Sequence, residues 1–167
     1  MKVKPYDRAA AVAYAHRWAY ARNPAYYNFD ALGGDCTNFA SQCLYAGSGV
    51  MNFSPTFGWF YRSANDRTPS WTGVPYFWDF LLRGTETVGP VGEEVPLASC
   101  QPGDFVQLRF SGERYGHTPI VVDTGTVPDL SNTLVAAHTF DTDYQPLASY
   151  QFQSMRCLHI TGVRAFE

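Results

Sequence analysis

Apolar positions recur with a helical spacing in the first third of the chain and alternate in its second half. Ala11, Tyr14, Ala15, Trp18 and Ala21 fall at i, i+3, i+4 and i+7. This predicts an amphipathic helix from Asp7 to about Arg22, stopped by Asn23-Pro24. After Gly33-Gly34 a second helix is expected to open at Asp35, a favoured N-cap residue type, and to run to Gly47-Ser48-Gly49. Phe39, Cys43 and Ala46 share a face of it. Residues 48–72 mix Gly, Pro, Asn and Ser with aromatics and keep neither period, so they read as a long ordered loop. A third helix fits Val74 to Arg83, and Gly84 to Gly92 reads as turns.

Beyond Pro102-Gly103 the spacing changes to that of strands, over 104–110, 117–124, 134–140 and 155–161, with turn residues between them. Helices first and a mostly antiparallel sheet second predict an α+β fold, N-terminal helices packed on the sheet, in a single domain over 1–167.

Composition narrows the function classes. Apolar residues make up 46% and charged residues 16%, the balance of a folded protein. A formal charge of −3 supplies no basic footprint, so a nucleic-acid partner is not expected. Most of the 12 Phe, 11 Tyr and 4 Trp must be core, although Trp59, Trp71 and Trp78 flank the long loop and Trp71 is a candidate cleft wall. Charges at Lys2, Lys4, Asp7, Arg8 and Arg17 leave no apolar run for a signal peptide, and no window reaches membrane-spanning length. The expected location is the cytoplasm as written, or outside it for a fragment of an exported protein.

Four cysteines are present. Cys36 and Cys43 on one helix stand about 10 Å apart along the axis, beyond the roughly 7 Å that a disulfide spans. Cys100 and Cys157 are distant in sequence and meet only if folding joins them. With no C-x-x-C, a structural zinc site is not expected, and no cofactor is implied.

Cys36 sits in the first turn of the second helix, where the unpaired N–H groups favour a thiolate. Asp35 opposes this, so a nucleophilic Cys36 requires a nearby histidine. His16 falls mid-helix and His159 inside a strand, whereas His117 opens one strand and His138 closes the next, positions where a rigid sheet holds catalytic groups.

The ordered segments "GGDCTNFASQCL", "QPGDFVQL", "YGHTPIVVDTG" and "LVAAHTFD" resemble the "putative amidase domain" family of bacterial proteins, a branch of the papain-like cysteine peptidase superfamily related to NlpC-type peptidoglycan hydrolases. "RNPAYYNF" and "NDRTPSWTGV" are similar to that branch in particular. The resemblance implies a papain-like (NlpC-type) fold and a cysteine amidase or peptidase acting through a thioester, with a peptide or peptidoglycan fragment as substrate. It implies Cys36 as nucleophile, His117 as base and a third polar residue orienting the imidazole. Backbone N–H groups at the start of the second helix would receive the oxyanion, and Tyr27 and Asn28, just upstream, are candidates for a further donor. For the third residue the resemblance selects His138. Simple pairing around a 125–133 loop instead sets Asp141 opposite His117, and His138 reaches that position only through a bulge or an earlier loop. The same thioester also serves an acyltransferase or transamidase, and a catalytically silent wall-binding module is the remaining alternative.

Overall fold

The computed structural model describes residues 1–166. α1 (Arg8–Trp18) is capped by Asp7, whose carboxylate accepts the Ala10 N–H at 3.0 Å. α2 (Cys36–Ser48) ends at Gly49, which takes the left-handed conformation (φ 67°) and returns its N–H to the Tyr45 carbonyl. Eleven of the thirteen α2 residues are buried, so this is a central helix and not an amphipathic surface one. Gln42 and Ser41 on its inner faces are satisfied within the protein: Tyr14 donates to Gln42 Oε1, Trp59 Nε1 donates to Ser41 Oγ, and Ser41 donates to the Trp71 carbonyl. Fully buried Phe39 and Leu44 each contribute about 2 kcal/mol by leaving water.

Residues 48–72 are more regular than the sequence suggests. A two-stranded ribbon, β2 (Tyr61–Ser63) and β3 (Asp66–Arg67), is followed by a single turn, α3 (Pro69–Thr72), which leads through Gly73 into α4 (Val74–Leu81). Trp71 is fully buried here, stacked on Trp59 at 4.7 Å with its indole N–H on Asn38 Oδ1 at 3.0 Å. It is a core residue holding α3 against α2, and this corrects its expected place in a cleft wall.

The sheet is antiparallel, with strands β4 (Gly89–Val95), β5 (Phe105–Arg109), β6 (Ile120–Asp123), β7 (Leu134–Ala137), β8 (Thr142–Pro146) and the long β9 (Ser154–Ala165), together with β1 (Lys2–Lys4). Its order is β1-β9-β5-β6-β7-β8, and β4 pairs with the other edge of β9. β4 lies within residues read as turns from their Gly and Pro; Pro90 is accommodated because β4 is an edge strand. The sheet's two faces separate cleanly. Phe105, Ile120, Ala136, Leu158 and Ile160 pack toward the helices, while Val106, Leu108, Val121, Val135 and Cys157 join Cys100 and Leu147 in a smaller cluster behind it. The fold is α+β, as expected.

β6 and β7 pair as Ile120↔Ala136 and Val121↔Val135, with a register shift before Asp123↔Leu134. Continued beyond Ile120, this register sets Thr118, not His117, opposite His138. The hairpin from β7 to β8 turns at Thr139 (φ 65°) and Phe140 (φ 56°). Left-handed backbone costs an L-residue ~1–2 kcal/mol per position.

Candidate active site

Cys36 lies at the first turn of α2 and is buried. Its sulfur is 3.7 Å from the Thr37 hydroxyl. Thr37 and Thr118 in turn meet at 3.2 Å through their hydroxyls, which fixes the head of α2 against the strand just before β6. His117 is the neighbour of Thr118, so this contact sets the head of α2 beside the peptide that follows the imidazole. The His117 carbonyl accepts the Leu108 N–H at 3.0 Å, extending the pairing with β5 to this residue.

The His117 ring packs against Tyr150 (5.7 Å between centroids) and Phe110 (6.3 Å). Tyr150 also feels the charge of Cys36, which together with burial raises its phenol to about 12. Cys36, His117 and Tyr150 thus form one neighbourhood. Burial dominates its electrostatics. It pushes the His117 imidazole down to about 4, and it pushes the Cys36 thiol up against the hydrogen bonds from Thr37 and Thr118. Both groups are therefore driven toward their neutral forms. Burial thus opposes the thiolate that the helix N-terminus favours.

His138 belongs to a different set of contacts. Its Nδ1 is 2.5 Å from Asp35 Oδ2, its Nε2 is 2.8 Å from the Trp18 carbonyl, and its ring stacks on Phe39 at 4.0 Å. Asp35 and the Trp18 carbonyl occupy both ring nitrogens, so neither is left for His117. In the continued register His138 stands opposite Thr118 and not His117, and its ring packs on Phe39 of α2. Asp141 is likewise committed elsewhere, in a bidentate pair with Arg22 at 2.8 and 3.0 Å. The structure brings Cys36 and the His117 strand together and places neither expected third residue on His117.

Asp35 organises the approach to the nucleophile. Its Oδ1 accepts the Phe29 N–H at 2.8 Å and Asn38 Nδ2 at 2.9 Å, and its Oδ2 takes His138 and lies 3.5 Å from Arg22 Nε. Burial raises the carboxyl, yet the hydrogen bonds from His138, Asn38 and Phe29 outweigh it and hold Asp35 below its ordinary value. Because these partners use the side chain, it makes no capping bond to α2. The first N–H groups of the helix stay open beside Cys36.

Asn28 Oδ1 accepts the Asp30 N–H at 2.9 Å and so shapes its own loop. The Tyr27 ring is half exposed, while its carbonyl accepts from Asn38 Nδ2 at 3.0 Å and its N–H donates to the Tyr61 hydroxyl at 2.8 Å. The polar residues that sequence reasoning passed over are Thr37, Asn38 and Thr118. Their signal was present in "DCTNF": polar side chains around a helix that also carries core residues require internal partners. Among the described residues, no group of three or more His, Cys, Asp or Glu side chains is placed to hold a metal ion. Nor is any helix among them long and apolar enough to cross a membrane.

A buried cysteine at the head of a central helix, near a histidine-bearing segment of an antiparallel sheet, characterises the candidate site of this α+β protein. The chain belongs to the family described as "Putative amidase domain", whose sequence model matches residues 5–161. It is similar to the uncharacterized protein YhbB of Bacillus subtilis (strain 168), with 35% identity over 163 residues, 88% of this chain and 49% of that protein. The chain thus spans about half the length of the curated relative it matches. No solved structure matches it.

Proposed function

We propose that this protein is a cysteine-dependent amide hydrolase of papain-like (NlpC-type) arrangement, with Cys36 as nucleophile and His117 as general base. The observation that carries the reading is the 3.2 Å contact between the Thr37 and Thr118 hydroxyls, which sets the head of α2, and Cys36 with it, against the residue that follows His117. His117, neutral at pH 7, takes the thiol proton as the sulfur attacks the amide carbonyl, then delivers it to the leaving amine. Water, deprotonated by the same imidazole, releases the acyl group. The open N–H groups at the head of α2 receive the developing oxyanion.

In this reading the Asp35–His138 pair is a positioning element. It locks the N-terminus of α2 to the end of β7 and keeps the Cys36 backbone in place, while Tyr150 and Phe110 supply the apolar seat of the imidazole. Peptides of the cell wall, or related small peptides, are the substrate class that agrees with the family resemblance. An amine or hydroxyl acceptor in place of water would make the same site a transferase.

The test is incubation with muropeptides and simple acyl amides, followed by mass spectrometry of the products and of the intact protein. The expected result is a new amine and an acyl adduct on Cys36, both lost in Cys36→Ala. Turnover that persists in Cys36→Ala refutes the mechanism.

A further inference from the structure

Thr139 and Phe140 occupy the two central positions of the β7–β8 turn, both with positive φ, the geometry of a type I′ hairpin. That turn favours Asn-Gly, because a β-carbon is crowded at each position. Here it carries a β-branched residue and a large aromatic, and the Phe140 ring is 95% exposed. Neither the backbone nor the ring gains anything for folding at this site.

The tip stands beside the nucleophile's approach segment. A β-carbon at Gly34 would lie 3.2 Å from Thr139 Oγ1. His138, just before the turn, is bonded to Asp35, and Asp141, just after it, is clamped by Arg22 together with Asp30. The turn is thus fastened on both sides to the 29–35 segment that leads into Cys36. Leu32 on that segment is 63% exposed and Tyr27 46%. The charges nearest the tip are net acidic, since Asp30 and Asp141 share the single cation Arg22.

We infer that Phe140, with Leu32, is a specificity-determining element of the Cys36 site and receives a bulky apolar, preferably aromatic, side group carried next to the scissile amide. The inference rests on the proposed amide-hydrolase reading. A projecting aromatic ring recognises an apolar group by stacking and burial, and the net-acidic Asp30–Asp141–Arg22 cluster beside it discriminates against an acidic one by repulsion.

The experiment uses the full chain and two reagents with the same warhead, N-benzyl- and N-methyl-chloroacetamide, with labelling of Cys36 followed by peptide mapping. The wild type should prefer the benzyl reagent by roughly tenfold, the value of one aromatic contact. Phe140→Ala should bring the ratio near one, and Phe140→Trp should retain it. Phe140→Gly should lose the preference while raising Tm by about 2–4 °C, because the turn is relaxed. An equal benzyl preference in wild type and Phe140→Ala overturns the inference. So does Phe140-dependent dimerisation by sedimentation, which would assign the ring to a second copy. Hydrolysis of acyl amides is scored separately: a benzyl preference without any hydrolysis upholds the rim and refutes the hydrolase, and hydrolysis without a Phe140-dependent preference does the reverse.

Discussion

Burial of a neutral imidazole has a measurable price in acid. His117 is 5% exposed and titrates at about 4 against an ordinary 6.5. Between these values the unfolded chain binds a proton that the folded one does not, so stability falls as pH drops through 6.5 and the loss saturates below about 4. At roughly 1.4 kcal/mol per pH unit, the native state should lose about 2 kcal/mol by pH 5 and about 3 kcal/mol by pH 4 from this residue alone. Asp35 acts in a separate window. Its folded value lies below 3.8, so the stability it contributes is complete above that pH and is lost as pH falls through the folded value. Urea melts of wild type and His117→Asn at pH 7.5, 6, 5 and 4.5 isolate the histidine, because the difference between the two proteins cancels the carboxylates. The variant should lack the decline between pH 6.5 and 4.5. The same slope in both proteins would mean that His117 is charged or solvated when folded, and its assignment as a neutral base would fail. The acid limb of kcat/KM should correspondingly fall near pH 4 and not near 6.5.

His117→Ala should lower kcat for acyl amides by at least about 100-fold, the usual worth of a general base, with Tm followed in parallel to exclude unfolding. His138→Ala should destabilise the fold by roughly 3–5 kcal/mol, since it leaves the buried Asp35 carboxylate without its strongest partner; chemical denaturation reads this, and a shift under 1 kcal/mol would refute the pairing. The rate of Cys36 alkylation by iodoacetamide should climb steadily from pH 6 to 9, because the thiol is raised by burial, and a plateau below pH 7 would reveal a preformed thiolate. Cys100 and Cys157 are free thiols in the same buried cluster behind the sheet, so diamide should join them with a loss of two hydrogens in the intact mass and leave Cys43 unmodified.

The helical and strand spacings along the chain, together with Gly33-Gly34 and Gly49 at the ends of α2, were enough to locate α1, α2, α4 and four of the sheet's strands, because these are local properties of the backbone and of one-sided burial. Strands β1, β4 and β8 left no comparable trace: each is short, polar or interrupted by Gly and Pro, and pairs because β9 or β7 presents an open edge to it. Cys36 and His117 were legible as candidates from residue type and position at element ends. The fate of the third group was not. Whether His138 or Asp141 meets His117 depends on a register shift between β6 and β7, and one residue of slip sends a side chain to the opposite face of the sheet. Likewise the tendency of a helix N-terminus to favour a thiolate is local, whereas the burial that opposes it exists only once the chain has folded around Cys36. Local chemistry chose the residues, and long-range packing set their charge states and their partners.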